Sequence, residues 1–111
     1  MTIDVLREEA QKLVGTISPA ARFRIEGRCR VIIRFDPLPL TRVERVLMSL
    51  GYSELERQDN TVKNAVHTTV KFGKTVNGLN VVAILGFITT DGNKPAKVRN
   101  LTLIISENRN A

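Results

Sequence analysis

An α+β fold is predicted, with a mainly antiparallel sheet of four or five strands and two helices on one of its faces. Three observations predict it. Two segments repeat apolar residues at helical spacing, the segment between them alternates apolar and charged residues, and the C-terminal half holds three strands wound as a meander about an Asn-Gly turn. The expected order is helix, strand, helix, a short strand, then three strands, or α-β-α-(β)-β-β-β. No repeat, low-complexity run or linker divides residues 1–111, so the chain reads as a single α+β domain.

Residues 3–14 place Ile3, Leu6, Ala10, Leu13 and Val14 on one helical stripe. Thr2 is the expected N-cap, and Asp4, Glu8 and Glu9 stand at the end where the helix dipole favours negative charge. Gly15 to Pro19 is expected to end this helix, because Pro cannot continue the hydrogen-bond ladder. Over residues 22–35, Phe23, Ile25, Cys29, Val31, Ile33 and Phe35 share one parity, while Arg22, Arg24, Glu26, Arg28, Arg30 and Arg34 share the other. That is the pattern of a strand with one buried face. A two-residue turn at Glu26-Gly27 would set Ile25 against Arg28 and Phe23 against Arg30, mixing the faces, so one long strand bulged at Gly27 is the expected form. Cys29 then falls on the buried side as a small core residue.

Asp36-Pro37-Leu38-Pro39 turns the chain into the second helix. There Thr41 and Glu44 have capping-box spacing, Val43, Val46, Leu47 and Leu50 form the apolar stripe, and Gly51 is the stop. Residues 52–58 are expected as a short strand and 59–64 as a loop. Asn77-Gly78, flanked by 65–76 and 79–90, is the strongest short hairpin signal in the chain. A type I′ turn there pairs Val76 with Leu79, Phe72 with Ala83, Val70 with Leu85 and Thr68 with Phe87 on one face, and Lys71 with Ile84 and His67 with Ile88 on the other. Asp91 to Ala96, containing Gly92 and Pro95, is the next expected turn. The last strand, 97–106, sets Leu101, Leu103 and Ile105 on one side and Asn100, Thr102 and Ile104 on the other.

Composition narrows the function classes. With 42% hydrophobic and 25% charged residues the chain is neither disordered nor fibrous. The longest apolar stretch, 81–88, is far short of the roughly 20 residues that cross a bilayer, and Asp4, Glu8 and Glu9 stand where a signal peptide has its hydrophobic segment. A cytoplasmic protein without membrane attachment is expected. The single cysteine excludes an internal disulfide and a cysteine-rich zinc site.

No recognisable catalytic constellation is present: there is no Walker loop, dinucleotide fingerprint or G-x-S-x-G elbow. His67 is the only histidine and falls on the outer strand parity, as a surface residue does. Glu54, Glu56 and Asp59 lack metal-ligand spacing. The expectation is a non-enzymatic module with no catalytic residue, metal or cofactor.

The net charge of +6 is concentrated, with +4 of it between residues 22 and 45, and 11 of the 17 basic residues are arginine. On one long strand, Arg22, Arg24, Arg28, Arg30 and Arg34 would line roughly 40 Å at about 3.3 Å per residue. Guanidinium groups fit phosphate bidentately, so this row, with Lys71, is the candidate site for duplex DNA or structured RNA. The four phenylalanines fall on the inward parity, which leaves no platform for stacking bases and points to phosphate contacts with little sequence discrimination. A plainer alternative is an edge strand that carries charge against aggregation. A further one starts from Val82, Ile84, Ile88 and Ile104, aliphatic residues on the same outer side. They fit a protein-interaction module meeting a second copy, as a homodimer, or an acidic partner protein.

Overall fold

The computed structural model describes residues 2–89 and 97–106. In chain order these form α1 (Thr2–Ile17), β1 (Arg22–Glu26), β2 (Arg30–Pro39), α2 (Leu40–Ser49), β3 (Ser53–Val62), β4 (Ala65–Val76), β5 (Leu79–Thr89) and β6 (Lys97–Ser106). The strands make one sheet in the order β1-β2-β6-β5-β4-β3, every pairing antiparallel. The α+β class and the two helices agree with the sequence pattern; the sheet has six strands where four or five were expected. The turn expected over 91–96 lies outside the described residues.

The first additional strand comes from the alternating segment, which folds back on itself instead of running straight. β1 and β2 form a hairpin across a three-residue turn, Gly27 to Cys29, with Arg22 opposite Arg34, Phe23 opposite Ile33 and Ile25 opposite Val31. A turn of three residues makes paired positions sum to an even number, so inward residues meet inward residues; a turn of two would cross the faces. Gly27, at φ +65, takes the left-handed conformation that begins the turn. Cys29 therefore sits exposed in the turn and is not a core residue.

The second correction is β3. A ten-residue strand, nine of whose residues pair with β4, stands where the pattern predicts a short strand and a loop, and all ten are exposed. The strand is an edge with no deeply buried side, so its residues show no apolar alternation. It meets β4 through a tight turn in which Lys63 has φ 56. By contrast, the Asn77-Gly78 hairpin forms as expected. Both residues have positive φ, 51° and 79°, and β4 pairs with β5 in the predicted register from Val76–Leu79 to His67–Ile88.

The helices also depart from their expected ends. α1 runs through Gly15 to Ile17, because Ile17 lies one helical turn beyond Leu13 and both are fully buried. The capping box at Thr41 does not form. β2 stays paired to β6 as far as Pro39, which is itself the N-cap, without a side-chain cap bond. Glu44 instead accepts a hydrogen bond from Arg57 at 2.8 Å. Gly51, at φ +96, releases the chain after α2 as expected, and the Tyr52 amide donates to the Leu47 carbonyl at 3.0 Å.

Both helices cover the same side of the sheet, contacting β2 and β6, with α1 reaching β1 as well. The core between the layers holds Leu6, Leu13, Ile17, Val43 and Leu47 from the helices, and Val31, Ile33, Phe72, Leu85, Leu101 and Leu103 from the strands. One carboxylate is buried with them. Glu9, 1% exposed, accepts hydrogen bonds from Lys74 Nζ at 2.9 Å and Tyr52 Oη at 2.9 Å on one oxygen, and from Lys12 Nζ at 3.1 Å on the other. Lys74 also lies 5.3 Å from the centre of the Tyr52 ring. Burial pushes the Glu9 pKa up, but the hydrogen bonds from Lys74, Tyr52 and Lys12 outweigh it, and the net pKa is lowered. Tyr52 moves upward, through burial and through donating to this carboxylate.

Glu9→Ala strands the Tyr52 hydroxyl and the half-buried Lys74 ammonium, and is expected to cost about 2–4 kcal/mol in urea unfolding. Because the folded Glu9 pKa is depressed, its contribution is complete above the ordinary value of 4.5 and disappears as pH falls through the folded value. The stabilities of wild type and Glu9→Gln, measured from about pH 7 to about pH 2.5, are expected to converge at the acid end.

Candidate functional site

The helices leave the other side of the sheet open, and the strand registers order its residues into rows. One row runs Glu26, Arg30, Ile104, Val82, Gly73 and Ser53 from β1 to β3. The next runs Arg24, Ile32, Thr102, Ile84, Lys71 and Glu56. A third begins with Arg22, Arg34 and Asn100 and continues, past a break in the sheet, with Gly86, Thr69 and Gln58. The outer face is thus basic at the β1–β2 end and aliphatic at its centre, with Glu56 on the β3 strand that closes it.

Folding the alternating segment into a hairpin changes the geometry of the arginine row. Four of its five arginines lie on two paired strands, and Arg28 stands in the turn, so the charge forms a compact patch instead of a track. Arg22 and Arg34 are direct cross-strand partners, and with Arg24, Ile32 and Phe23 they line a shallow depression of about 210 Å³. Arg24 is paired with Glu26, and Arg22 donates from Nη1 to the Ala21 carbonyl at 3.1 Å. Among the described residues no carboxylate pairs with Arg22, Arg28, Arg30 or Arg34. Two guanidinium groups opposed across a strand pair repel each other unless an anion lies between them.

Lys71 is not part of this patch. It lies on the outer face but three strands from β2, about 14 Å at roughly 4.8 Å per strand, and its ammonium is 3.5 Å from Glu56. Val82, Ile84, Ile88 and Ile104 do share the outer face, with Val82 directly opposite Ile104. Their exposure differs widely. Val82 is 7% exposed, already shielded within the chain, whereas Ile88 is 58% exposed near the far end of β5. Phe35, Phe72 and Tyr52 are buried, while Phe23 and Phe87 pack against the core and stay part-exposed, Phe23 at the arginine depression and Phe87 at the cleft beside β5.

Two basic residues join the site that the sequence pattern did not single out. β5 and β6 pair only from Asn80 to Ile84, then separate, opening a cleft of about 590 Å³. Lys97, Arg99, Asn100, His67, Gly86 and Ile88 line it, and Asn100 is the register partner of Arg34. Sequence reasoning missed Lys97 and Arg99 because they stand apart from the arginine run. Only the order of the strands, which puts β6 between β2 and β5, brings them next to it.

Among the described residues no group of three or more His, Cys, Asp or Glu is placed to hold a metal ion. No described helix is long and apolar enough to cross a membrane. His67 is exposed, and neither Cys29, in its turn, nor the buried Glu9 forms a hydrogen bond with it. The arrangement suits binding of an anion on a preformed surface.

No protein-family model, curated protein or solved structure matches the chain.

The facing arginines carry a signature in the free protein. A double-mutant cycle on Arg22→Gln and Arg34→Gln is expected to give an unfavourable coupling of about 0.5 kcal/mol at low salt, vanishing near 1 M salt. A favourable coupling would mean that the two side chains are not opposed.

Proposed function

We propose that the protein is a non-enzymatic module that binds nucleic acid, duplex DNA or structured RNA, through the phosphate backbone. The observation that carries this reading is the Arg22–Arg34 cross-strand pair, beside Arg24 and Arg30 and without a carboxylate partner for either member among the described residues. Arg28 in the turn and Lys97 and Arg99 at the cleft extend the same positive surface. A sheet face on which no aromatic ring is fully exposed supports backbone contact more than base stacking.

Binding through three to five phosphates gives a slope of log affinity on log salt of about −3 to −4.5, a loss of roughly 50- to 500-fold between 50 and 200 mM salt. Fluorescence anisotropy with a mixed-sequence duplex and a structured RNA checks this. Arg34→Gln is expected to reduce the slope by about 0.9, and Lys71→Gln to leave it nearly unchanged. Absence of binding at low salt to both nucleic acids would end the proposal.

The exposure of Ile88 favours a second reading, in which the outer face meets an acidic partner protein or another copy of itself. If copies meet through this face, the Ile84→Lys/Ile88→Lys double variant is expected to halve the mass seen by light scattering. An unchanged mass would reject that interface.

A further inference from the structure

We infer that β3 is a self-association edge, through which two copies join antiparallel with Gln58 on the two-fold axis. The sheet has two edges, and they are built differently. β1 is five residues long, too short to template much pairing, and carries Arg22 and Arg24 on its outer side, whereas the charges of β3, Glu54, Glu56, Arg57 and Asp59, are of both signs and can complement a second strand. β3 is ten residues long and exposed throughout, and it contains neither proline nor lysine. Its single irregularity, the bulge at Leu55, falls near its start, so Glu56 to Val62 keep an unbroken register with β4. Its outward backbone groups offer a template for an added strand.

The occupant is specified by charge order. Arg57 and Asp59 flank Gln58 and lie opposite the inward residues Val70 and Thr68, so both face the helix side; Glu56, Gln58 and Asn60 lie opposite Lys71, Thr69 and His67 and face outward. An antiparallel second copy centred on Gln58 sets Arg57 against the other copy's Asp59, twice per dimer, and Glu56 against Asn60. Centring the axis on Arg57 or Asp59 instead opposes like charges, and centring it between residues crosses the two faces. Both side chains have capacity left for the contact. Arg57 spends Nη2 on Glu44 and Glu54, at 2.8 and 3.0 Å, and Asp59 spends Oδ1 on Thr68 at 2.6 Å.

The apolar residues agree with this register. Leu55 is 61% exposed and lies over Gly73 on the outer face, where a Cβ on Gly73 would approach its Cδ1 to 2.6 Å. Val62, 54% exposed, is at the opposite end of the strand. The antiparallel pairing brings Val62 of each copy to the Leu55 end of the other. The two-fold axis is perpendicular to the sheet, so both arginine patches lie on one face at its far ends. The dimer itself does not rest on the nucleic-acid reading, and its test contains no nucleic acid.

Sedimentation equilibrium on the full chain is expected to show a species of twice 12.4 kDa. With Cys29→Ser in the background, mild oxidation is expected to cross-link Gln58→Cys into a disulfide dimer. Thr61→Cys is expected to remain uncross-linked, because its two copies stand about 20 Å apart at 3.3 Å per residue. Asp59→Arg should weaken the dimer by about tenfold or more, and the swap Arg57→Asp/Asp59→Arg should restore it. Ile84→Lys/Ile88→Lys should leave it intact, which separates this edge from a face-to-face dimer. A monomer up to about 1 mM, a dimer that Gln58→Cys does not cross-link, or one that Asp59→Arg does not weaken would overturn the proposal.

Discussion

The sheet is buried on one side only, because both helices pack against the same face and leave the other to solvent. Every interior strand must therefore turn a single parity of its side chains into the core that the helices close, although the helices contact mainly β2 and β6. The segment from Arg22 to Pro39 meets that requirement as a hairpin only because its turn has three residues, which returns Ile33 and Val31 to the side of Phe23 and Ile25. The same parity rule sends the arginines to the opposite face. Packing and surface charge are therefore two consequences of one turn length.

The buried carboxylate at Glu9 serves this arrangement from within. It is held by α1, by Tyr52 just before β3 and by Lys74 near the end of β4, so it ties the first helix to the half of the sheet with which the helices make few contacts. Apolar packing between α1 and β2 is non-directional, whereas the hydrogen bonds that Tyr52 and Lys74 both donate to one carboxylate oxygen are satisfied only at a single helix position. Thr68 and Asp59 make a smaller polar link of the same kind between β4 and β3.

Much of this was legible in the sequence, and the reasons for the failures are physical. The Asn77-Gly78 hairpin has a turn type fixed by two residues that tolerate positive φ, and its register followed from that alone. The hairpin at Gly27 has no such signature: nothing in its residues marks a turn of three, so the alternation reads as one long strand with Cys29 on the buried side. β3 was hidden because an edge strand exposed on both sides has no periodicity to detect. At the site, the parity of Arg22, Arg24, Arg30 and Arg34 was readable, but their crowding was not, since crowding is a property of strand pairing. Lys97 and Arg99 could be found only from the strand order.

Under the proposed function, the arginines of the β1–β2 hairpin act as one phosphate-binding surface. Amide NMR during titration with a short mixed-sequence duplex at low salt tests it most directly. Shifts are expected only in residues 22–34 and the adjoining start of β6, with β3 and the exposed faces of both helices unmoved. Shifts centred on the helices or on β3, with the hairpin silent, would contradict it.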